Sequence, residues 1–143
     1  MPMRRAGLRA IAATAVWLAC AGAAWAQVQA LATVAQRPGG NPDKGRLIVQ
    51  TRCVGCHALD DNRVGPALGS VFGRKAGTAP GYDYSQALQA SGDAWTAERL
   101  LAWLANPEAL IPGQAMGYRV DKPLDRQDVV AYLASLARPS ATP

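Results

Sequence analysis

Residues 43–138 are expected to fold as a single all-α domain with three main helices and long structured loops. Two observations predict it. Apolar side chains recur at helical spacing in three stretches, near 43–51, 96–105 and 125–137. Alternating apolar and polar runs, which would mark half-buried strands, are scarce. No internal repeat interrupts this pattern, and the domain is of ordinary small size with a modest core of its own.

The elements follow in chain order. Arg4, Arg5 and Arg9 precede an apolar run from Ala10 to Ala24, broken only by Thr14 and Gly22, and Ala24-Trp25-Ala26 matches a small-x-small cleavage pattern. Residues 1–26 are therefore expected to be a signal peptide cleaved before Gln27, being too short and alanine-rich for a membrane-spanning helix. Cys20 lies inside this segment and leaves with it, since Trp17 stands where a lipoprotein signal prefers Leu, Val or Ile. Residues 27–42 end in Arg37-Pro38-Gly39-Gly40-Asn41-Pro42 and form a flexible lead-in. Asp43 is the expected cap of a first helix running to Thr51, with Leu47 and Ile48 among its apolar positions. A second runs from Thr96 to Ala105, where Ala97, Leu100, Leu101 and Leu104 make one stripe before Asn106-Pro107 ends it. A third spans Asp125 to Ala137, with Asp125 and Asp128 in its first turn and Val129, Leu133 and Leu136 on one face. Residues 139–143 are a short C-terminal tail.

The chemistry is concentrated in Cys53-Val54-Gly55-Cys56-His57, which follows the first helix directly. Two thiols at i and i+3 project from about one helical turn, so both can bond the vinyl groups on one side of a porphyrin, and the next residue brings a ring nitrogen under the metal. A redox dithiol would need no histidine there. A zinc site would want a second Cys/His pair, which the sequence lacks. The pentapeptide thus implies one haem c, attached through Cys53 and Cys56, with His57 on the iron. His57 is the sole histidine, and Met1 and Met3 lie at the extreme N-terminus. Met116, in Ile111-Pro112-Gly113-Gln114-Ala115-Met116, is then the expected sixth ligand, because proline and glycine let the chain turn sharply and present a thioether inward. Without a haem motif, the same methionine would be read as core filling.

Charge excludes one class of partner. Removing residues 1–26 takes three arginines and no acid from a formal charge of +5, leaving +2. The remaining basic residues are scattered, so nucleic acid is not an expected partner.

The domain resembles the mitochondrial-type class I cytochromes c and their small soluble bacterial relatives. The resemblance covers about Asp43 to Leu136. Beyond the pentapeptide it rests on Gly65-Pro66-Ala67-Leu68-Gly69, Val71-Phe72-Gly73-Arg74-Lys75-Ala76-Gly77 and Pro80-Gly81-Tyr82-Asp83-Tyr84-Ser85. Trp95, Asn106-Pro107, the Ile111-Pro112-Gly113 run with Met116, and Tyr132-Leu133 complete it in order. It implies the cytochrome c fold around one covalent haem. It also implies that the Pro66 carbonyl accepts the far N–H of His57, which fixes the tautomer and makes the ligating nitrogen a better donor. Arg74, Tyr84 and Trp95 match residues that neutralise or hydrogen-bond a buried haem propionate, which is costly to bury unpartnered. Gly45, Val49, Val129 and Tyr132 fall where the first and last helices of the family cross.

Several positions depart from the family. Trp103 replaces a tyrosine near the methionine sulfur, either substituting its indole N–H or packing on the haem. Leu88 replaces an asparagine of a polar water network, and Gln114 replaces a threonine that contacts a propionate. Ala115, Glu108 and Ala109 stand where lysines are common, while Arg52 and Lys122 keep some positive charge at the haem edge. The docking face is thus less basic than in the mitochondrial pattern, and partner binding is expected to depend only moderately on salt.

The expected function is one-electron transfer in the periplasm, by a monomer that is not an enzyme. Two strong axial ligands leave no open position for substrate, and a soft thioether favours Fe(II) and raises the potential. Expected partners are redox proteins: a membrane cytochrome complex, an oxidase, a reductase, a dehydrogenase or a reaction centre. Two alternatives share the same residues. One is a haem subunit fixed in a larger oxidoreductase complex. The other is a haem enzyme or gas sensor with a labile Met116, which the absence of a second histidine for acid–base work disfavours.

Overall fold

A computed structural model of the chain describes residues 39–137. The expected signal peptide, most of the lead-in and the C-terminal tail lie outside the described residues. Five helices are present among those described: α1 (Pro42–Arg52), α2 (Gln86–Ser91), α3 (Ala97–Ala105), α4 (Pro107–Leu110) and α5 (Pro123–Leu136). No strand longer than an isolated bridge is found there, so the all-α expectation holds.

Each helix boundary has a local cause. The cap of α1 is Asn41, two residues before the expected Asp43, so the helix starts correspondingly earlier, at Pro42. The Asn41 Oδ1 accepts from the N–H of Asp43 at 2.9 Å and of Lys44 at 3.1 Å. Pro42 fits the first helical position because its missing N–H would have had no partner there. Asp43 then sits in the first turn, near the positive end of the helix. The Thr96 hydroxyl caps α3 by accepting from Arg99 N–H at 3.2 Å. Asn106 ends α3 in an extended conformation and caps α4, its Oδ1 accepting from Ala109 N–H at 3.2 Å. α5 begins at Pro123, two residues before the first acidic residue of the pattern. Arg126 steadies its entry by donating to the carbonyls of Val120 and Asp121 at 2.7 and 2.8 Å.

α2 and α4 were not visible as periodic patterns. Each is too short for a 3.6-residue repeat to declare itself, and α2 buries only Leu88. Their signals are the caps instead: Ser85 and Gly92 bracket α2, and Asn106-Pro107 opens α4.

The core is organised by the crossing of α1 and α5. Gly45 and Val49 of α1 are buried against a stretch of α5 in which Val129 to Leu133 are all buried. At Gly45 the backbones come so close that a Cβ would collide with the Asp128 carbonyl and lie 2.9 Å from the Tyr132 Cβ. The crossing expected at Gly45, Val49, Val129 and Tyr132 is therefore present. Asn41 N–H donates to Asp128 Oδ1 at 2.7 Å, locking the start of α1 to the same turn of α5. Leu47 does not join this interface: it is 55% exposed, because glycine rather than a large side chain is what lets the helices meet. α3 packs on α5 through Leu100, Trp103 and Leu104, with Ala97 and Leu101 half-buried at its edge.

Replacing Gly45 with alanine gains about 1 kcal/mol in helix propensity but forces α1 from α5. We expect Gly45→Ala to lower unfolding stability by about 1–3 kcal/mol net, measured by guanidinium titration of the haem-loaded protein.

Candidate functional site

The pentapeptide continues α1 as a tight turn. Cys53 N–H donates to Val49 O at 2.9 Å and His57 N–H to Cys53 O at 2.9 Å, so backbone bonds tie the turn, and the histidine at its end, to the last residues of α1. Cys53 is half-buried against the core and Cys56 is exposed, and neither is in a disulfide. Burial pushes the Cys53 thiol above its ordinary pKa, Arg52 pulls it partly back, and the neighbouring Cys56 adds to the rise.

The chain then doubles back on the pentapeptide. Gly65 N–H donates to Cys56 O at 2.8 Å, Leu68 N–H to Ala58 O at 3.0 Å, and Gly69 N–H to Leu59 O at 2.7 Å. This return places the Pro66 carbonyl 2.8 Å from His57 Nδ1. A carbonyl can only accept, so Nδ1 carries the proton and Nε2 keeps its lone pair free for a metal. Gly65 makes room for the ring, since a Cβ there would overlap His57 Cε1.

Arg74 and Trp95 are brought together by a short antiparallel pairing. Trp95 N–H donates to Arg74 O at 2.9 Å, Gly73 N–H to Trp95 O at 3.0 Å, and Ala76 N–H to Asp93 O at 2.8 Å. The Arg74 guanidinium bonds Ser70 Oγ at 3.0 Å and Ala67 O at 3.4 Å, while its buried Nε has no partner. Among the described residues no carboxylate pairs with it. The Tyr84 hydroxyl accepts from Ala79 N–H at 3.4 Å and keeps its own proton to donate. Trp95 and Trp103 are both buried and meet edge to face, with centroids 5.2 Å apart. Trp103 thus has a packing role against Trp95.

Met116 is half-buried against the same core cluster that Cys53 touches. Its loop turns at Gly113, where φ is +84°. Glu108 and Gln114 clamp that turn. Glu108 Oε1 accepts from Gly113 N–H at 3.0 Å, Glu108 Oε2 accepts from Gln114 Nε2 at 3.3 Å, and Gln114 Oε1 accepts from Met116 N–H. The Gln114 carbonyl is thereby committed within the loop, leaving one amide hydrogen for any further acceptor. Glu108 entered the sequence reading only as a missing lysine. Its capping role depends on α4, which periodicity did not reveal. Arg52 likewise is not a free surface cation: it pairs with Asp125 at 3.1 Å.

Comparisons with known proteins agree with this arrangement. The family described as cytochrome c matches residues 42–137. The chain belongs to the cytochrome c family. It is 40% identical over 102 residues to cytochrome c2 of Rhodopila globiformis, covering 69% of this chain and 96% of that protein. Among solved structures it is similar to cytochrome cH of Methylobacterium extorquens, with a TM-score of 0.64, 38% identity, and coverage of 67% of this chain and 99% of the other. Cytochrome c2 of Rhodospirillum centenum matches with a TM-score of 0.65 and 34% identity, covering 69% of this chain and 100% of the other.

This cytochrome c is accordingly a small haem electron-transfer protein, and it carries covalent haem c with Cys53 and Cys56 in the attachment positions. The residues present fit that group. Arg74 supplies a half-buried cation with an unpartnered buried nitrogen, suited to an anionic group from outside the protein. A cavity of about 640 Å³, lined by Leu59, Asp60, Asn62, Phe72, Arg74 and Pro80 among others, opens beside these loops. It includes Arg74 but neither cysteine, His57 nor Met116, so it is not the attachment site itself.

Single Cys53→Ser and Cys56→Ser variants are expected to lose much of their haem loading. The double variant should release all remaining haem on acid–acetone extraction, whereas the unsubstituted protein should release none.

Proposed function

We propose that this cytochrome is an exported, periplasmic one-electron carrier whose iron is held between His57 Nε2 and Met116 Sδ. The observation that carries the reading is the 2.8 Å bond from His57 Nδ1 to the Pro66 carbonyl, which commits one ring nitrogen and leaves the other as a metal donor. Met116 complements it as the one methionine among the described residues, half-buried on the core and held by the Glu108–Gln114 clamp. When bound, haem supplies a one-electron Fe(II)/Fe(III) couple. The chain's own part is to hold two axial donors rigidly, so that little rearranges when the charge changes, and to exclude water with Trp95, Trp103 and Leu88, all buried.

Arg74, Tyr84 and Trp95 are the residues proposed to meet a haem propionate. Arg74 offers positive charge and Tyr84 a free phenolic proton, which together lower the cost of keeping a carboxylate out of water. Export is supported by the Arg4–Ala26 leader, and diffusion between redox proteins by the small size of the mature chain. Arg52 is engaged with Asp125, and Glu108 with its own loop, which supports the expectation of only moderate salt dependence in partner docking.

The test is to purify the protein from the periplasmic fraction and record its mass and spectra. We expect a chain beginning at Gln27 with one haem, a low-spin spectrum, a weak far-red iron–thioether band when oxidised, and no response to carbon monoxide when reduced. Met116→Ala should abolish the far-red band, admit carbon monoxide and lower the reduction potential. A native protein that already binds carbon monoxide would overturn the carrier reading in favour of an enzyme or sensor.

A further inference from the structure

The peptide between Pro66 and Ala67 is gripped at both ends. Its carbonyl accepts from His57 Nδ1–H at 2.8 Å, and its N–H donates to Asn62 Oδ1 at 3.0 Å. Asn62 Nδ2 in turn donates to the Pro80 carbonyl at 2.9 Å. The amide orientation of Asn62 is dictated by these neighbours, because the flipped side chain would set donor against donor and acceptor against acceptor. Every bond in the series points the same way, from the ring N–H through the peptide and the side-chain amide to Pro80. In such a head-to-tail chain each amide that donates becomes a better acceptor, strengthening its neighbour by roughly 10–30% per bond.

We propose that Asn62 is a positioning residue for the haem histidine, acting through the Pro66–Ala67 peptide. By accepting the Ala67 N–H, it raises the basicity of the Pro66 carbonyl. The carbonyl then pulls harder on the Nδ1 proton and gives Nε2 more anionic character, which favours Fe(III). Asn62 thus holds the reduction potential below the value Pro66 alone would set. The inference rests on the proposed ligation by His57.

A purely mechanical role for Asn62 would be to tie the loop carrying Pro66 to the loop carrying Pro80. The structure contains a second tie between the same loops that serves as the control: Tyr82 Oη–H donates to Val64 O at 2.6 Å. That bond does not touch the Pro66–Ala67 peptide. Asn62 is exposed and Tyr82 half-buried, so neither Asn62→Ala nor Tyr82→Phe empties the core.

The experiment compares both variants as haem-loaded proteins. It measures the equilibrium reduction potential, the NMR position of the His57 Nδ1 proton in the reduced state, and amide exchange in the two loops. We expect Asn62→Ala to raise the electron-binding constant roughly two- to tenfold, below the usual effect of a direct ligand partner because it acts one bond further out, and to move the Nδ1 proton upfield. Tyr82→Phe should leave both unchanged, while loop exchange accelerates in both variants. The proposal is overturned if the two variants shift potential and proton alike, or if Asn62→Ala moves neither. If the unsubstituted reduced protein lacks ring-current-shifted His57 signals, the ligation reading fails and takes this proposal with it. If those signals are present and unmoved by Asn62→Ala, only the proposal fails.

Discussion

The close crossing of α1 and α5 is the contact on which the remaining geometry depends. Gly45 lets the two backbones approach, Asn41 and Asp128 pin the start of α1, and Val49, Val129 and Val130 fill the interface almost without exposure. Because backbone bonds link Val49 to Cys53 and Cys53 to His57 through the turn that follows α1, orienting the helix also orients both attachment cysteines and the imidazole. Dense packing transmits that orientation, since a core without voids cannot absorb a tilt locally. The covalent site is in effect the C-terminal extension of a helix whose other end is locked to the last helix of the chain.

Around this anchor the protein arranges polar groups whose partners are unequally distributed. Surface charges such as Arg52 and Asp125 find each other, a contact worth little by itself. Arg74, by contrast, keeps a buried nitrogen without an acceptor, and placing such a group away from water is unfavourable unless an anion joins it. The haem propionate proposed to lie beside Arg74 would resolve that imbalance. The same logic applies to His57, whose Nδ1 is satisfied by Pro66, so that Nε2 keeps a lone pair for the iron ligation proposed above. The polypeptide is chemically complete only with its haem, which ties cofactor attachment to the stability of the fold.

Legibility from sequence varied with the range of each interaction. The α3 stripe and its stop at Asn106-Pro107 were legible because propensity, periodicity and capping are local. The cap of α1 lies two residues before the one expected: Asp43 and Asn41 are both good caps, and Pro42 at the first helical position decides between them. α2 and α4 escaped because six and four residues are too few to display a period. Leu47 is one of the apolar positions of the first helix, yet the crossing geometry favours the glycine two residues earlier and leaves Leu47 exposed.

By itself, the sequence determined the attachment chemistry. Two cysteines and a histidine must be contiguous to hold a porphyrin by one helical turn, so Cys53, Cys56 and His57 declare their purpose without a fold. It also determined that Met116 is the sole methionine of residues 39–137, and hence the one thioether there to propose as a ligand, because the alternatives could be counted. Only the tertiary structure decided how those groups are held. The pairing of the Arg74 segment with Trp95, the Glu108 and Gln114 clamp on the methionine loop, and the Asn62 link behind Pro66 each join residues on separate turns or loops. Such contacts depend on hydrogen bonds a few tenths of an ångström wide in tolerance. Composition and periodicity carry no information at that precision, whereas a packed fold sets it.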